Sequence, residues 1–514
     1  MHSGFGASPR SIAPSRRSSP STVVAERTAP AASSIEPPKP DVGSRAAPRA
    51  RGPLLASAPP VRGFDLARAA RRGAALLGVA SALACAAADE RPSVLLVTLD
   101  TTRADALSCL GAPPGTTPHL DALAARSALF TRALSDSNVT NPSHVSIMTG
   151  MRALDHGVLN HTTRVPEGVD TLAEALARAG YATGGFASAR HVGPDLGWRG
   201  FEALPPVGNE RGAKETTDLA LDWLGGVGER PFFLWAHYWE PHMEYEPPPE
   251  LARRFYAGDR SAGTGPPLAD LPYFRLLPRE GVLRWLGDTR DPAWAPAMYR
   301  AEVHVTDAEV GRLLDAVAAR RPGRALVVVT ADHGEALGEH GIYYAHTGLY
   351  EPQLRVPLIV HVPGLAPLRS DALVSTLDVA PTLAELTGAP LRNAAVSGVS
   401  LVPLLRGAPG APGEERTLVH HNAHNAAVAV RRGGWKLIWP IASDHPILGT
   451  SPQLFDVARD PAETRDLAAQ EPARVAELRD AIEPWIARGP VERRSDHLAP
   501  EAVEQLRALG YLRD

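Results

Sequence analysis

Four short runs of consecutive apolar residues constrain the fold of this chain more than any other feature of its sequence. The runs are Ser93–Leu99, Phe232–Trp235, Ala325–Thr330 and Pro357–Val360. A strand that is apolar at nearly every position is covered on both faces, as in a parallel sheet between helices. Stretches with apolar residues three and four apart lie between the runs and predict helices over Val169–Ala179 and Glu302–Arg320. The sequence therefore predicts an α/β fold with a large mixed, mostly parallel sheet flanked by helices.

The pattern changes near Thr417. Short alternating runs from there predict a small C-terminal antiparallel-sheet subdomain, and an amphipathic helix follows around Ala473–Ala487. The segment Asp259–Ala297 is rich in Pro, Gly and Leu without a clear period, which indicates an insertion or lid. We predict three parts: residues 1–90 as an extension with an export signal, 91–415 as the catalytic domain, and 416–514 as the C-terminal subdomain.

Charge and cysteine content exclude several classes of protein. Residues 1–72 contain twelve Lys and Arg against four Asp and Glu, a net charge of +8, so the whole-chain charge of −4 leaves −12 for the rest. An acidic body argues against a nucleic-acid partner, because phosphate binding needs a basic surface. Two cysteines, Cys85 and Cys109, exclude a disulfide framework and a cysteine-rich zinc module. No apolar run reaches the roughly 18 residues that span a bilayer, so we expect no transmembrane helix in the mature chain.

The first 90 residues predict a disordered extension followed by an export signal. Residues 1–62 are rich in Ser, Pro, Ala and Arg without an apolar period, which predicts disorder. A cationic flank ending at Arg71 and Arg72, an apolar core and small residues before Cys85 have the form of an export signal. Cys85 after Leu-Ala also resembles a lipoprotein acceptor, and a short buried helix is the alternative interpretation. We predict an exported protein that is periplasmic, extracellular or lipid-anchored at Cys85.

Polar residues with ligand chemistry follow two of the predicted strands. Asp100 comes directly after Ser93–Leu99, and Asp332 and His333 follow the run that ends at Thr330. Functional groups collect where parallel strands end, and a carboxylate beside an imidazole offers one divalent ion both an oxygen and a nitrogen. A helix cap is the alternative for Asp100 taken alone. Together these residues predict a metal site, and the donor types allow Ca, Mg, Mn or Zn.

A hydroxyl group lies at a proline-containing turn in the segment SNVTNPSHVSIMTG. Thr140 is a poor nucleophile at its ordinary pKa, and metal coordination is one way to activate it. The alternative is a helix N-cap without chemistry. His242 and His346 lie in loops beyond predicted elements, where a lone histidine is often a bystander, and His237, nearer a strand end, is expected to be packed rather than catalytic.

Several ordered blocks resemble the sulfatase family, within the alkaline-phosphatase-like superfamily. They cover the chain from about Arg91 to the C-terminus and include LLVTLDTTRADAL, TNPSHVSIMTG, the PH of WEPHMEY, TADHGEALGEHG, LYEPQLRVPLIV and VRRGGWKLI. The resemblance implies a large α/β domain with a small antiparallel subdomain. It also implies a metal-dependent hydrolase of sulfate or phosphate esters.

The chain departs from the sulfatase pattern at charged and nucleophilic positions. Thr140 stands where sulfatases carry the Cys or Ser that becomes formylglycine, and His144 stands at an arginine position. Ser188 and His346 align best with two family lysines. The segment from Thr140 to His144 is instead similar to the nucleophile segment of nucleotide pyrophosphatase/phosphodiesterases, in which a metal-bound threonine attacks phosphorus.

These resemblances imply a site in which Asp100, Thr140, Asp332 and His333 bind one metal ion and Thr140 is the nucleophile. His144, His242 and His346 complete the expected catalytic set; the latter two contact the ester or form part of a second metal site, for which Glu240 and Glu244 are the nearest carboxylates. The expected substrate is a small-molecule, glycan or lipid ester of sulfate or phosphate. The alternatives are a phosphodiesterase, a phosphoryl transferase acting on envelope substrates, and a catalytically decayed binding module.

Overall fold

The computed structural model describes residues 90–208, 210–276, 280–408, 413, 415–443 and 447–490. All of them belong to one compact unit of the chain, Leu83–Asp514. The predicted disordered extension, the export signal and Cys85 lie outside the described residues. Among the described helices, none combines the length and the apolar character that a membrane crossing requires.

Thirteen strands are found in the described part of the chain and are numbered here in chain order. They are β1 Ser93–Leu99, β2 Ala128–Leu134, β3 Ala182–Phe186, β4 Phe232–Tyr238, β5 Ala325–Ala331, β6 Ala336–Leu337, β7 Tyr343–Ala345, β8 Arg355–His361, β9 Leu368–Ser375, β10 Thr417–His421, β11 Ala427–Arg432, β12 Trp435–Pro440 and β13 Gln453–Asp456.

The α-helices of the same residues are numbered likewise. They are α1 Pro118–Ala124, α2 Thr140–Thr149, α3 Ala153–His156, α4 Leu172–Arg178, α5 Ala213–Gly226, α6 Pro249–Phe255, α7 Pro272–Leu276, α8 Glu280–Leu286, α9 Trp294–Arg320, α10 Glu351–Leu354, α11 Val379–Thr387, α12 Val402–Leu405, α13 Pro472–Asp480 and α14 Glu483–Arg488.

The large sheet has seven strands in the order β3-β4-β1-β5-β8-β2-β9. The four strands β3, β4, β1 and β5 run parallel, and β2 runs parallel to β9. Strand β8 is antiparallel to both of its neighbours, so the sheet is mixed. Strands β1, β4 and β5 are buried at every position because helices cover both faces. The predicted α/β fold with a mostly parallel sheet is confirmed.

The C-terminal sheet is antiparallel throughout, in the order β10-β11-β12-β13. One of its faces buries Val428, Val430 and Leu437 against Leu478 and Trp485 of the last two helices. The predicted small antiparallel sheet is therefore confirmed. The division of the chain into residues 1–90, 91–415 and 416–514 stays a prediction.

One helix prediction needs correction, and the segment predicted as an insertion or lid contains helices. The helix expected around Ala473–Ala487 is divided into α13 and α14, because Pro484 has no N–H for the carbonyl four residues back. The segment Asp259–Ala297 contains α7, α8 and the start of α9, and its aromatic side chains enter a second hydrophobic cluster that includes Tyr273, Phe274 and Trp285. Aromatic packing in that cluster gives the segment order that its sequence period does not indicate.

Candidate metal centre

Two neighbouring strands of the large sheet each end in an aspartate. Strand β1 pairs with β5 so that Leu99 lies opposite Ala331, and the next residues are Asp100 and Asp332. Directly after Asp100, the backbone of Thr101 has a φ of 47°, a left-handed conformation that a β-branched residue rarely adopts. This turn directs the Thr101 N–H to Oδ1 of Asp332 at 3.1 Å. The strain therefore serves the placement of the second carboxylate.

The Thr140 hydroxyl lies at the same point. Thr140 is the first residue of α2, a helix buried along its whole length. Its Oγ1 lies 3.3 Å from Nε2 of His333, and the Thr140 side chain is close enough to the carboxylates of Asp100 and Asp332 to lower the pKa of both. The structure thus brings together the four residues that the sequence indicated as metal ligands.

The carboxylates of this site are buried without a basic partner. Burial, Asp332 and Glu335 raise the pKa of Asp100 well above its ordinary value. Burial also raises the pKa of Asp332 to about 6, with His144 and two backbone N–H groups opposing the rise. No lysine or arginine is among the groups that dominate either pKa in the described part of the chain. Asp100 and Asp332 offer carboxylate oxygens within 4.8 Å of each other. Two ionised carboxylates this close repel each other unless a cation lies between them.

Unsatisfied oxygens test whether a divalent ion fits. Among the described residues, Oδ1 of Asp100, Oγ1 of Thr101 and Oδ2 of Asp332 are buried without a hydrogen-bond partner. Buried polar atoms normally have hydrogen-bond partners, so these three unpaired oxygens indicate that a further partner, such as a cation, binds here. One donor atom each from Asp100, Asp332 and His333 lies within 4.8 Å of the other two. These donors fit a divalent ion.

The tautomer of His333 supports its role as a ligand. Its Nδ1–H donates to the carbonyl oxygen of Gly334 at 3.0 Å, so Nε2 carries the lone pair that faces Thr140 and Asp332. Metal-binding histidines commonly have their second nitrogen fixed by a carbonyl in this way. Burial lowers the pKa of His333 to about 4, which keeps the ring neutral at pH 7.

His144 lies beneath the site rather than beside the reacting position. Its Nδ1–H donates to the carbonyl of Thr140 at 2.8 Å, and its Nε2 accepts from the Thr98 hydroxyl at 2.9 Å. Trp235 donates to the same hydroxyl, which fixes the direction of this chain of hydrogen bonds. Both nitrogens are therefore engaged in holding the first turn of α2.

His237 contacts the site, although the sequence predicted only packing. Its Nδ1 accepts from the backbone N–H of Ser188 at 3.3 Å, so its Nε2–H points at Oδ2 of Asp100, also at 3.3 Å. Donor atoms of His144, His237 and Asp332 form a second close set. The set with Asp100 and His333 is the better ion site, because the tautomers of His144 and His237 leave no lone pair directed at the ion. Ser188 bonds the carbonyl of His237, behind the site.

Four further histidines form a cluster beside His333. The His346 ring lies 4.3 Å from that of His333, and His242 follows at 6.1 Å from His346. Each of these two rings donates its Nδ1–H to a backbone carbonyl, that of Asn138 for His346 and that of Met243 for His242. His161 and His191 complete the group, with their rings 4.7 Å apart.

The carboxylates expected to complete a second site have contacts on other elements. Glu240 accepts from the backbone N–H of Ala213 at the start of α5, and the carboxylate of Glu244 lies against Gly281 of α8. The second site stays a prediction. A further acid close to the metal centre is Glu335, which is buried and raises the pKa of Asp100. Its sequence signal was its position two residues after His333.

Known proteins resemble this chain over most of its length. A family model described as Sulfatase matches residues 92–389, and one described as N-sulphoglucosamine sulphohydrolase, C-terminal, matches residues 338–485. Arylsulfatase A of Bos taurus is 30% identical over 85% of this chain and 90% of its own. Delta 4,5-hexuronate-2-O-sulfatase of Bacteroides thetaiotaomicron is 26% identical over 82% and 94%.

A solved structure shows the same fold. The phosphonate monoester hydrolase of Agrobacterium radiobacter superimposes with a TM-score of 0.60, at 22% identity, over 79% of this chain and 100% of its own. The sulfatase family model covers more than half of the sequence. The chain belongs to the sulfatase family and is an ester hydrolase.

Proposed function

We propose that this protein is a metal-dependent hydrolase in which Oγ1 of Thr140 attacks the sulfur or phosphorus of an ester. One observation carries the proposal: the Thr140 hydroxyl lies where two buried carboxylates and the lone pair of His333 converge. An N-cap without chemistry does not require unpaired acids around its hydroxyl. The intact donor set also opposes a decayed binding module.

The residues that would hold the ion are Asp100, Asp332, His333 and Thr140. A divalent ion bound there supplies positive charge that lowers the pKa of the threonine hydroxyl and stabilises the charge of the transition state. The imidazole among the four donors favours zinc or manganese over calcium, whose ligands are oxygens. His144 and the start of α2 then hold Oγ1 in place, because the helix begins at the nucleophile itself.

The reaction has two displacement steps. In the first, Oγ1 of Thr140 loses its proton and bonds to the sulfur or phosphorus, while the bond to the alcohol oxygen breaks and that oxygen takes up a proton. In the second, water cleaves the Thr140 ester, restores the hydroxyl and releases sulfate from a sulfate ester, a phosphate monoester from a phosphodiester or a phosphonic acid from a phosphonate monoester. We assign His242 and His346, next to His333, to contacts with the oxygens of the ester or with its leaving group.

Charge indicates the substrate class. Asp100, Asp332 and Glu335 place three acids near the reacting position, and one divalent ion offsets two of them. A reacting group with a single negative charge is then bound better than one with two. Sulfate monoesters, phosphodiesters and phosphonate monoesters meet this condition, whereas phosphate monoesters at neutral pH do not. Relatives named as sulfatases and as a phosphonate monoester hydrolase support the same range.

A panel of nitrophenyl sulfate, phosphodiester, phosphonate and phosphate substrates, each with Zn²⁺, Mn²⁺, Mg²⁺ or Ca²⁺, tests the proposal. We expect turnover of at least one monoanionic ester with Zn²⁺ or Mn²⁺. Acid quenching during turnover, followed by mass spectrometry, should add one sulfuryl, phosphoryl or phosphonyl group to the peptide that contains Thr140. A modified residue other than Thr140 would reject the assigned nucleophile.

Export also belongs to the proposal, on sequence grounds alone. The features that support it are the cationic flank, apolar core and small residues before Cys85. Fractionation of expressing cells tests it, and substitution of Cys85 by Ser separates a lipid anchor from simple secretion. Protein retained in the cytoplasm would reject export.

A further inference from the structure

A buried ion cluster joins the C-terminal sheet to the loops of the metal centre. Lys436 of β12 is fully buried, and its Nζ lies 2.5 Å from Oε1 of Glu463 and 3.2 Å from Oε1 of Glu351. The other oxygen of Glu463 accepts from the backbone N–H of Glu351 at 2.6 Å. Glu351 is the first residue of α10, so the lysine and its acids fix the start of that short helix.

Helix α10 in turn touches the residue that orients His333. The carbonyl of Gln353 accepts the N–H of Gly334 at 2.8 Å. Side chains are excluded at Gly334, because a Cβ there would overlap the carbonyl oxygen of Pro352. Gly334 then accepts the Nδ1–H of His333, whose Nε2 faces Thr140. An unbroken series of contacts therefore runs from Lys436 to the proposed nucleophile.

Other contacts from the C-terminal sheet reach the same two loops. The amide of Asn422 donates to the carbonyl of Thr347, next to His346, at 3.0 Å. The Tyr350 hydroxyl donates to Gln453 of β13 at 2.8 Å. His420 donates to the carbonyl of Ser135, and the hydroxyl of Ser135 bonds the carbonyl of Asp332. The sheet thus contacts the loops of His346 and Asp332 without supplying a donor to the ion.

We infer that Lys436 is a positioning residue, through which the C-terminal sheet sets the orientation of His333 at the metal centre. A buried ion pair is a weak source of stability compared with apolar packing, but it fixes geometry because only one arrangement satisfies both acids. The inference rests on the proposed function, since it concerns the ligand His333. It goes beyond that function by giving the C-terminal sheet a part in catalysis.

Cobalt substitution tests the inference, because the visible spectrum of bound Co²⁺ reports the geometry of its ligands. Full-length wild-type protein should bind one Co²⁺ per chain with a visible band. Lys436→Met should shift that band, weaken Co²⁺ binding by about 10- to 100-fold and lower kcat by a similar factor, with KM changed less than about threefold. Gly334→Ala, whose Cβ would overlap the carbonyl oxygen of Pro352 in α10, disturbs the same series of contacts at the His333 end and should reproduce these changes.

Leu437→Ala is the matched control. Leu437 is the neighbour of Lys436 on β12, but it packs on the opposite face against the terminal helices. Its truncation should lower Tm while the cobalt band and kcat stay unchanged. Should Lys436→Met not fold, Glu351→Gln, which keeps the shape of the side chain, takes its place.

An unchanged band and affinity in Lys436→Met, or equal changes in Leu437→Ala, would overturn the positioning role and leave the proposed function intact. Wild-type protein that binds no Co²⁺ would instead reject the proposed function, and the inference with it.

Discussion

Two groups of buried acids in this protein differ in where their positive charge comes from. At the metal centre, Asp100 and Asp332 are fully buried and burial raises the pKa of both. Around Lys436, burial also acts on Glu351, but Lys436 and Arg431 outweigh it and hold the pKa of Glu351 below its ordinary value. The second group contains its own cations, although burial still raises the pKa of Glu463. The described part of the first group has no lysine or arginine among the causes of its pKa shifts, and this difference supports the proposal that a metal ion binds there.

The largest loss of activity is expected when the Thr140 hydroxyl, beside Asp100 and Asp332, is removed. Thr140→Ala removes the nucleophile, and kcat should fall at least about 10³-fold. Binding of the ion should weaken only modestly, because Asp100, Asp332 and His333 remain. Thr140→Ser keeps a hydroxyl at the same position and is the control, which should retain measurable turnover. Thr140→Ala with wild-type kcat would remove this residue from the mechanism.

Removing one partner from each acid group should have opposite consequences for stability. Lys436→Met leaves Glu351 and Glu463 without their shared cation, and we expect the free energy of unfolding to fall by about 3–5 kcal/mol. Asp332→Asn removes one of two repelling carboxylates, so in the presence of a chelator it should be neutral or stabilising. Urea unfolding of both variants measures the difference. Equal destabilisation would show that the two groups do not differ as described.

In the metal-free protein, the free energy of unfolding should depend on pH because Asp332 is a buried acid without a lysine or arginine partner among the described residues. The pKa of Asp332 rises from 3.8 to about 6 on folding, so between these values the native state holds a proton that the unfolded chain has released. Stability contributed by this group therefore falls as pH rises from about 4 to 6, by about 3 kcal/mol in total. Asp332→Asn should lack this loss, so its advantage over wild type should grow with pH across the window and then stay constant. An advantage independent of pH would contradict the raised pKa.

The smallest expected effect concerns substrate charge. With three acids and, in the described part of the chain, no lysine or arginine among the dominant causes of their pKa shifts, kcat/KM for a nitrophenyl phosphodiester should exceed that for the phosphate monoester at least about tenfold at pH 8, or about 1.4 kcal/mol. Glu335→Gln removes one acid and should lower the ratio of kcat/KM for the phosphodiester to kcat/KM for the phosphate monoester. Glu309→Gln, in a partly exposed ion pair of α9, is the control and should leave the ratio unchanged. A wider ratio in Glu335→Gln would contradict the charge argument.

Much of the fold could be predicted because buried parallel strands are apolar at nearly every position. Strand β1 has the predicted bounds, and β4 and β5 begin where predicted. Strand β3, with the sequence ATGGF, carries no such run. Its two glycines are required by close packing, since a Cβ at Gly184 would overlap the ring of Trp223. Small residues needed for contact with large ones are invisible to a search for apolar runs.

The site was predictable where its residues follow strand ends and obscure where they depend on tertiary contacts. Asp100 and Asp332 follow adjacent strands, and that adjacency brings them together. His161 and His191 lie in irregular segments and 3-10 turns, where spacing along the chain carries no information about distance. Glu240, one of the carboxylates expected at a second metal site, accepts from the backbone N–H of Ala213 at the start of α5, a contact that its sequence does not indicate.

The most direct test of the account is the metal content of the purified protein after equilibrium dialysis against Zn²⁺ or Mn²⁺. Wild type should retain one tightly bound ion per chain, and Asp332→Asn should lose it, whereas Leu437→Ala, which packs against the terminal helices and leaves the proposed ligands in place, should still bind an ion. Retention of the ion by Asp332→Asn, or its absence from wild type, would contradict the claim that the unpaired acids beside Thr140 form a metal centre.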